Sequence, residues 1–198
     1  MQKNLPNELI REILQPSLDV SDKMFGSVSP ISPFSSPDHI SASYLLCVCK
    51  SWLYVGTPFL YRVVILRSQA QANSLRRTLR KHPDLGAYIQ KLRIEGGYGV
   101  AMRTILTSAR NVSDLCIFMD IQDHDCVSGL CSSLMSVNPS RVIAIYPDST
   151  WPQPPRRAPA LQELEGKLRT CFRGWTKMVR LFSLLIYTKF MRTTFDLD

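Results

Sequence analysis

No run in this 198-residue sequence approaches the apolar length of about twenty residues that a membrane-spanning helix requires. The longest, Leu181–Tyr187, is far shorter and predicts core or a C-terminal strand. Histidine is scarce, at three residues, and neither His39 nor His82 has a neighbour at metal-ligand spacing. The six cysteines (Cys47, Cys49, Cys116, Cys126, Cys131 and Cys171) include no pair separated by two residues, which excludes the usual zinc ribbon. No apolar signal-peptide core follows Met1, so the expectation is reduced, mostly buried thiols in a cytoplasmic or nuclear protein. Gly96-Gly97-Tyr98-Gly99 lacks both the Lys-Ser/Thr and the spacing of a phosphate-binding loop, and predicts a turn.

What is present is globular in character. Hydrophobic residues make up 45% and charged residues 20%, with a mean hydropathy of −0.04. The formal net charge of +8 has a location. Residues 1–66 are neutral, with five basic and five acidic side chains, whereas residues 67–198 hold 19 basic against 11 acidic. The densest stretch runs from Arg67 to Arg93 and includes Arg76, Arg77, Arg80, Lys81 and Lys91 against Asp84 alone. Such a segment attracts acidic partners, nucleic acid among them, or is simply a solvated helix face and a strand edge guarded by cations.

The opening segment has the features of a helix start. Pro6 suits a first turn, where its missing N–H has no partner, and Glu8 and Glu12 complement the positive end of the helix dipole. Leu5, Leu9, Ile10, Ile13 and Leu14 then form an apolar stripe that Pro16 is expected to stop. A Ser/Pro-rich insertion covers about residues 26–39. Tyr44, Leu45, Val48, Cys49 and Trp52 predict a second helix, broken by Gly56, Thr57 and Pro58, with Phe59–Tyr61 as further apolar anchors.

Beyond Tyr61 the period changes. Tyr61–Leu66 predicts a strand and Ala70–His82 a helix. Short apolar strands then recur at Leu92–Ile94, Leu115–Ile117 and Ile143–Ile145. Each precedes a helical stripe: Met102, Ile105, Leu106, Ala109; then Val127, Leu130, Cys131, Leu134, Met135; then Leu161, Leu164, Leu168, Cys171, Phe172. Strand starts spaced by 23 and 28 residues predict an array of β–α units, each burying its apolar face on the next. The fold class expected is therefore α+β: a helical N-terminal module, then irregular β–α, leucine-rich-like repeats.

Three pieces of the first module together carry a family likeness. Leu5-Pro6-x-Glu8-Leu9-x₃-Ile13-Leu14, Leu45-Leu46-x-Val48-Cys49-Lys50-x-Trp52 and Pro58-x-Leu60-Tyr61 follow in the order of the F-box pattern, which residues 1–62 resemble. The Ser/Pro insertion is longer than the family's usual connector, but loop closure grows only slowly with length, about 0.6 kcal/mol per doubling. Residues 63–198 bear a looser likeness to the degenerate repeat regions that follow F-boxes in fungal proteins. No obvious capping repeat follows Leu181, which raises truncation as a hypothesis.

The resemblance implies a three-helix F-box in which Leu5, Pro6, Leu9, Ile10, Ile13 and Leu14 bind a Skp-type adaptor subunit and, through it, a cullin. It leaves Leu45, Val48, Cys49, Trp52, Pro58 and Leu60 as the module's own core. The implied function is substrate recruitment to a cullin-type (SCF) ubiquitin ligase, the repeats holding a target protein. Such a chain is a non-catalytic adaptor with no cofactor and no metal. Asp123-His124-Asp125-Cys126 gathers reactive groups, but adjacent loop residues do not converge on one point, and a polar turn with Asp123 or Asp125 capping the next helix accounts for them. The alternative to the ligase reading is a basic nucleic-acid-binding or scaffold protein, for which no zinc finger, helix-turn-helix or RNA-binding motif is present.

Overall fold

In the computed structural model, the described residues are 5–27, 42–122, 124–146 and 158–185. The chain divides into two compact units, Met1–Val64 and Ile65–Asp198, and crosses from one to the other inside a strand, two residues later than the sequence-based boundary.

The first unit is helical. It contains α1 (Asn7–Leu18), the short α2 (Asp22–Phe25), α3 (Ala42–Leu46) and α4 (Lys50–Arg62). Ile10, Leu14 and Leu18, at successive i+4 positions of α1, meet Leu46 and Val55, with Leu45, Trp52 and Phe59 packed against them. The expectation that Pro16 ends the first helix is incorrect, because α1 continues to Leu18. Proline inside a helix removes one backbone bond and crowds the preceding turn. Here burial of Leu18 beyond it holds the last turn in place.

Two other expectations for this unit change. Tyr44 to Trp52 is not one helix: α3 stops at Leu46 and α4 starts at Lys50, with Cys49 extended at φ −162°, ψ 172°. Nor do Gly56, Thr57 and Pro58 break the next helix, since all three lie inside α4. Gly56 allows a close approach there. A Cβ on it would displace the Leu46 Cδ2 methyl and come within 3.1 Å of Leu14 Cδ1. Phe59, beyond Pro58, packs on the same core and keeps the helix running past the proline.

The second unit continues β1 (Val63–Leu66) and adds α5 (Gln69–Lys81), β2 (Lys91–Ile94), α6 (Val100–Ser108), β3 (Asp114–Phe118), α7 (Ser128–Ser133), β4 (Arg141–Tyr146), α8 (Pro159–Gly174) and β5 (Arg180–Leu185). The strands lie in chain order, β1-β2-β3-β4-β5, and the pairs β2–β3, β3–β4 and β4–β5 are parallel. The helices α5, α6, α7 and α8 likewise contact one another in chain order. Each predicted strand and helix of this unit is found within a few residues of its expected position.

Register follows from the side chains. Leu92, Leu115 and Val142 are partners in one row, and Ile94, Ile117 and Ala144 in another. Both rows are buried. The strands begin with Lys91, Asp114 and Arg141 side by side, alternating in sign, and the Arg141 Nε donates to Asp114 Oδ1. Slipping any strand by one residue would break that alternation and move every apolar side chain to the opposite face. The fold is thus mixed helix and strand around a parallel sheet. No helix among the described residues is long and apolar enough to cross a membrane.

Candidate docking surface

Helix α1 is apolar over more of its circumference than its own unit covers. Leu9 and Ile13 lie one position before Ile10 and Leu14 along α1, and Leu5 precedes the helix. One position is a rotation of about 100°, so the two rows diverge around the helix. The second row is core. The first is open, with Leu5 43%, Leu9 46% and Ile13 49% exposed. Pro6 is exposed beside them.

The six residues expected on the adaptor surface therefore separate. Leu5, Pro6, Leu9 and Ile13 lie on the surface, whereas Ile10 and Leu14 are buried against α3 and α4 and are corrected to core residues. The six expected in the core separate too. Leu45 and Trp52 pack on the cluster and Pro58 is half-buried. Val48 is 60% exposed, and Cys49 and Leu60 are exposed as well. The turn between α3 and α4 explains Val48 and Cys49, because neither lies on a helix and their helical phase has no meaning there. Leu18, Leu46 and Val55 belong to the core without having been assigned to it. Leu18 was legible as the continuation of the Ile10–Leu14 row.

Tyr44, Leu53 and Tyr54 extend the exposed apolar inventory of the unit onto α3 and α4. Single exposed apolar side chains are ordinary. Two on one face of α1, with Leu5 just ahead of it and more on the neighbouring helices, constitute a surface that another apolar surface would cover.

The second unit has a charged centre of a different kind. Arg93 on β2 is 1% exposed, and its Nη2 lies 2.6 Å from Glu95 Oε1. Arg67 Nε reaches the same oxygen at 3.1 Å, and the Arg93 guanidinium sits 4.6 Å from the centre of the Phe118 ring. The expectation of a solvated cationic strand edge thus fails for Arg67 and Arg93, which are consumed by an internal ion pair. The β2–α6 turn is tight, with Tyr98 and Gly99 both at φ 49°. The Tyr98 hydroxyl donates to the Leu66 carbonyl at 3.0 Å, which holds the turn to the end of β1.

Burial, and secondarily the Glu95 carboxylate, raises the pKa of the Tyr98 phenol. Burial also pushes the Cys116 thiol from its ordinary 9.0 up to about 12, with Arg93 pulling weakly the other way. Both groups hold their protons more tightly folded than unfolded. Their contribution to stability is therefore complete below the unfolded values, 9.0 for the thiol and 10.0 for the phenol, and is lost progressively as pH rises above each. The urea midpoint is expected to fall steadily between pH 9 and 11, and Tyr98→Phe to flatten part of that slope. A midpoint independent of pH over this range would refute the assignment.

Among the described residues the reactive groups elsewhere do not assemble into a catalytic set. Asp123 lies outside the described residues, as does His39. His124 and Cys126 are exposed, and the Cys126 Sγ is 3.2 Å from Ser128 Oγ. Asp125 does not cap α7, whose N-cap is Val127; it accepts instead from the Gln122 backbone N–H at 3.0 Å and closes its own turn. An open cleft between α7 and α8, of about 420 Å³, has Cys131, Glu163 and Lys167 in its lining. Burial and Glu163 push the Cys131 thiol up to about 11, so it is a neutral thiol and a poor nucleophile. Among the described residues no three His, Cys, Asp or Glu side chains gather as a metal site would require.

Cys47, Cys49 and Cys126 are exposed while Cys116, Cys131 and Cys171 are buried. A thiol-reactive disulfide reagent at pH 8 is expected to titrate three groups in the native protein and the other three only after denaturant is added. Six equivalents reacting together would contradict the burial of the second set. Comparison with known proteins places the chain in no group: no family model matches it, and neither a curated protein nor a solved structure does.

Proposed function

We propose that the chain is a substrate-recruiting adaptor of a cullin-type ubiquitin ligase, in which residues 1–62 act as an F-box and the β–α units hold a target protein. The observation that carries the reading is the open pair Leu9 and Ile13 on a helix whose adjacent row is already core, with Leu5 exposed just ahead of that helix. A helix with two apolar rows and cover for one is half of an interface. The F-box likeness names the other half as a Skp-type adaptor, which offers a helical apolar surface. Strands and helices that follow one another in chain order support the repeat reading of residues 63–198, since each unit there needs its neighbour to bury its apolar side. In this reading the chain performs no bond-making itself; ubiquitin transfer belongs to the ligase it joins.

Co-expression of the full chain with a Skp-type adaptor tests this directly. The expected result is a stoichiometric complex that survives gel filtration in moderate salt, as apolar contacts do. Separate elution of the two chains would overturn the proposal.

A further inference from the structure

The cations of the second unit are sorted. Three on or beside the sheet have carboxylates, in Arg67–Glu95, Arg93–Glu95 and Arg141–Asp114. Those on the helices do not. Helices α5, α6 and α8 carry Arg76, Arg77, Arg80, Lys81, Arg103, Lys167, Arg169 and Arg173 against two acids, Glu163 and Glu165, and α7 is uncharged. None of these eight cations takes part in an ion pair among the described residues. Cations in the last turns of α5 and α8 complement the helix dipoles, but Arg77, Arg103 and Arg169 stand outside those turns and are exposed.

We infer that this helix layer is a docking surface for the phosphate backbone of double-stranded nucleic acid. Three features select that occupant. First, six of the eight cations are arginine, whose planar fork matches phosphate oxygens, whereas a face kept charged for solubility has no need of arginine over lysine. Second, the helices are neighbours in chain order, so α5 to α8 is three steps of roughly 8–10 Å, and the charges are spread over about 25–30 Å, close to one duplex turn. Third, the outward positions around these arginines are Gln71, Ser74, Thr107 and Thr170, all exposed and polar. The exposed large apolar side chains of this layer are Val100 at the start of α6 and Met135 after α7; a protein interface is centred on apolar or aromatic groups, whereas a phosphate backbone needs donors and charge. With no reader for base edges at hand, the binding is independent of sequence. The inference stands apart from the ligase reading, since it uses none of the first unit.

Fluorescence anisotropy of the full chain with labelled 20-base-pair DNA and RNA duplexes, from 50 to 200 mM salt, tests it. Affinity is expected to fall on the order of 40-fold or more across that range, as three or more phosphate contacts require. The variant R77A/R103A/R169A is expected to flatten the log–log salt slope by about 2.7, from roughly 0.9 per phosphate contact, while R77K/R103K/R169K keeps the wild-type slope. All three positions are exposed, so unchanged circular dichroism and melting are expected of both variants. Binding of either duplex with this pattern supports the inference. It is overturned by absence of binding at 50 mM salt, by a slope that the alanine variant leaves unchanged, or by a polyglutamate peptide that binds more tightly than both duplexes.

Discussion

Replacing Leu9 and Ile13 together by Asp is expected to abolish co-purification with the Skp-type adaptor and to leave the thermal midpoint of the chain nearly unchanged. Both side chains are about half open to solvent, so their own unit gains little from them. An interface gains more: completing the burial of each contributes about 1 kcal/mol, and a carboxylate forced into the same place adds a desolvation penalty of several kcal/mol. A combined loss above roughly 3 kcal/mol weakens binding more than about 100-fold, enough to empty a pull-down. Leu14, one residue from Ile13, supplies the contrast. It is fully buried, so Leu14→Ala is expected to cost about 3–5 kcal/mol of stability in the first unit and to lose the adaptor only because the unit loosens. Ile13→Leu keeps the apolar surface and should retain the complex. If the Asp pair binds as wild type does, this row is not the docking surface; if it unfolds the unit, the row was never open.

That contrast also marks the limit of what the sequence disclosed. A reading by period sees Leu9, Ile10, Ile13 and Leu14 as one stripe, because all four fall within a helical face of ordinary width. Which half is covered depends on where α4 lies, and that is fixed by residues more than thirty positions away, among them Val55 and Gly56. The same reading joined Tyr44 to Trp52 because the apolar phase happens to continue across the Cys47–Cys49 turn; nothing in composition announces that break. Pro16 and Pro58 were given their local meaning, which burial of Leu18 and packing of Phe59 override. The second unit was far more legible. Its strands are short and apolar, punctuated by Gly, Pro or polar loops, and each helix buries a regular stripe against immediate neighbours. Contacts between elements adjacent in sequence leave their signature in sequence, whereas contacts brought together by a distant helix do not.

Arg93 is the clearest case of a residue whose surroundings the sequence concealed. Within a cationic segment it reads as solvated, and in the fold it is almost wholly enclosed, held by Glu95 and covered by Phe118. Glu95 also serves Arg67, so a single carboxylate answers two guanidinium groups. Glu95→Ala is therefore expected to cost about 3–5 kcal/mol, because it removes the carboxylate that lies 2.6 Å from an enclosed guanidinium. Adding Arg93→Met to that variant is expected to restore most of the loss, since an unbranched apolar chain fills the space of the arginine stem without the charge. Urea unfolding of the three proteins measures this, with the slope on denaturant expected to stay constant while the midpoint moves. Hydrogen exchange at the β2 and β3 amides assigns the change to the sheet rather than to the first unit. A cost below about 1 kcal/mol for Glu95→Ala would mean that water reaches Arg93 and that its charge is not enclosed. A double variant no more stable than Glu95→Ala would mean that the loss came from the carboxylate's other contacts, Arg67 first among them.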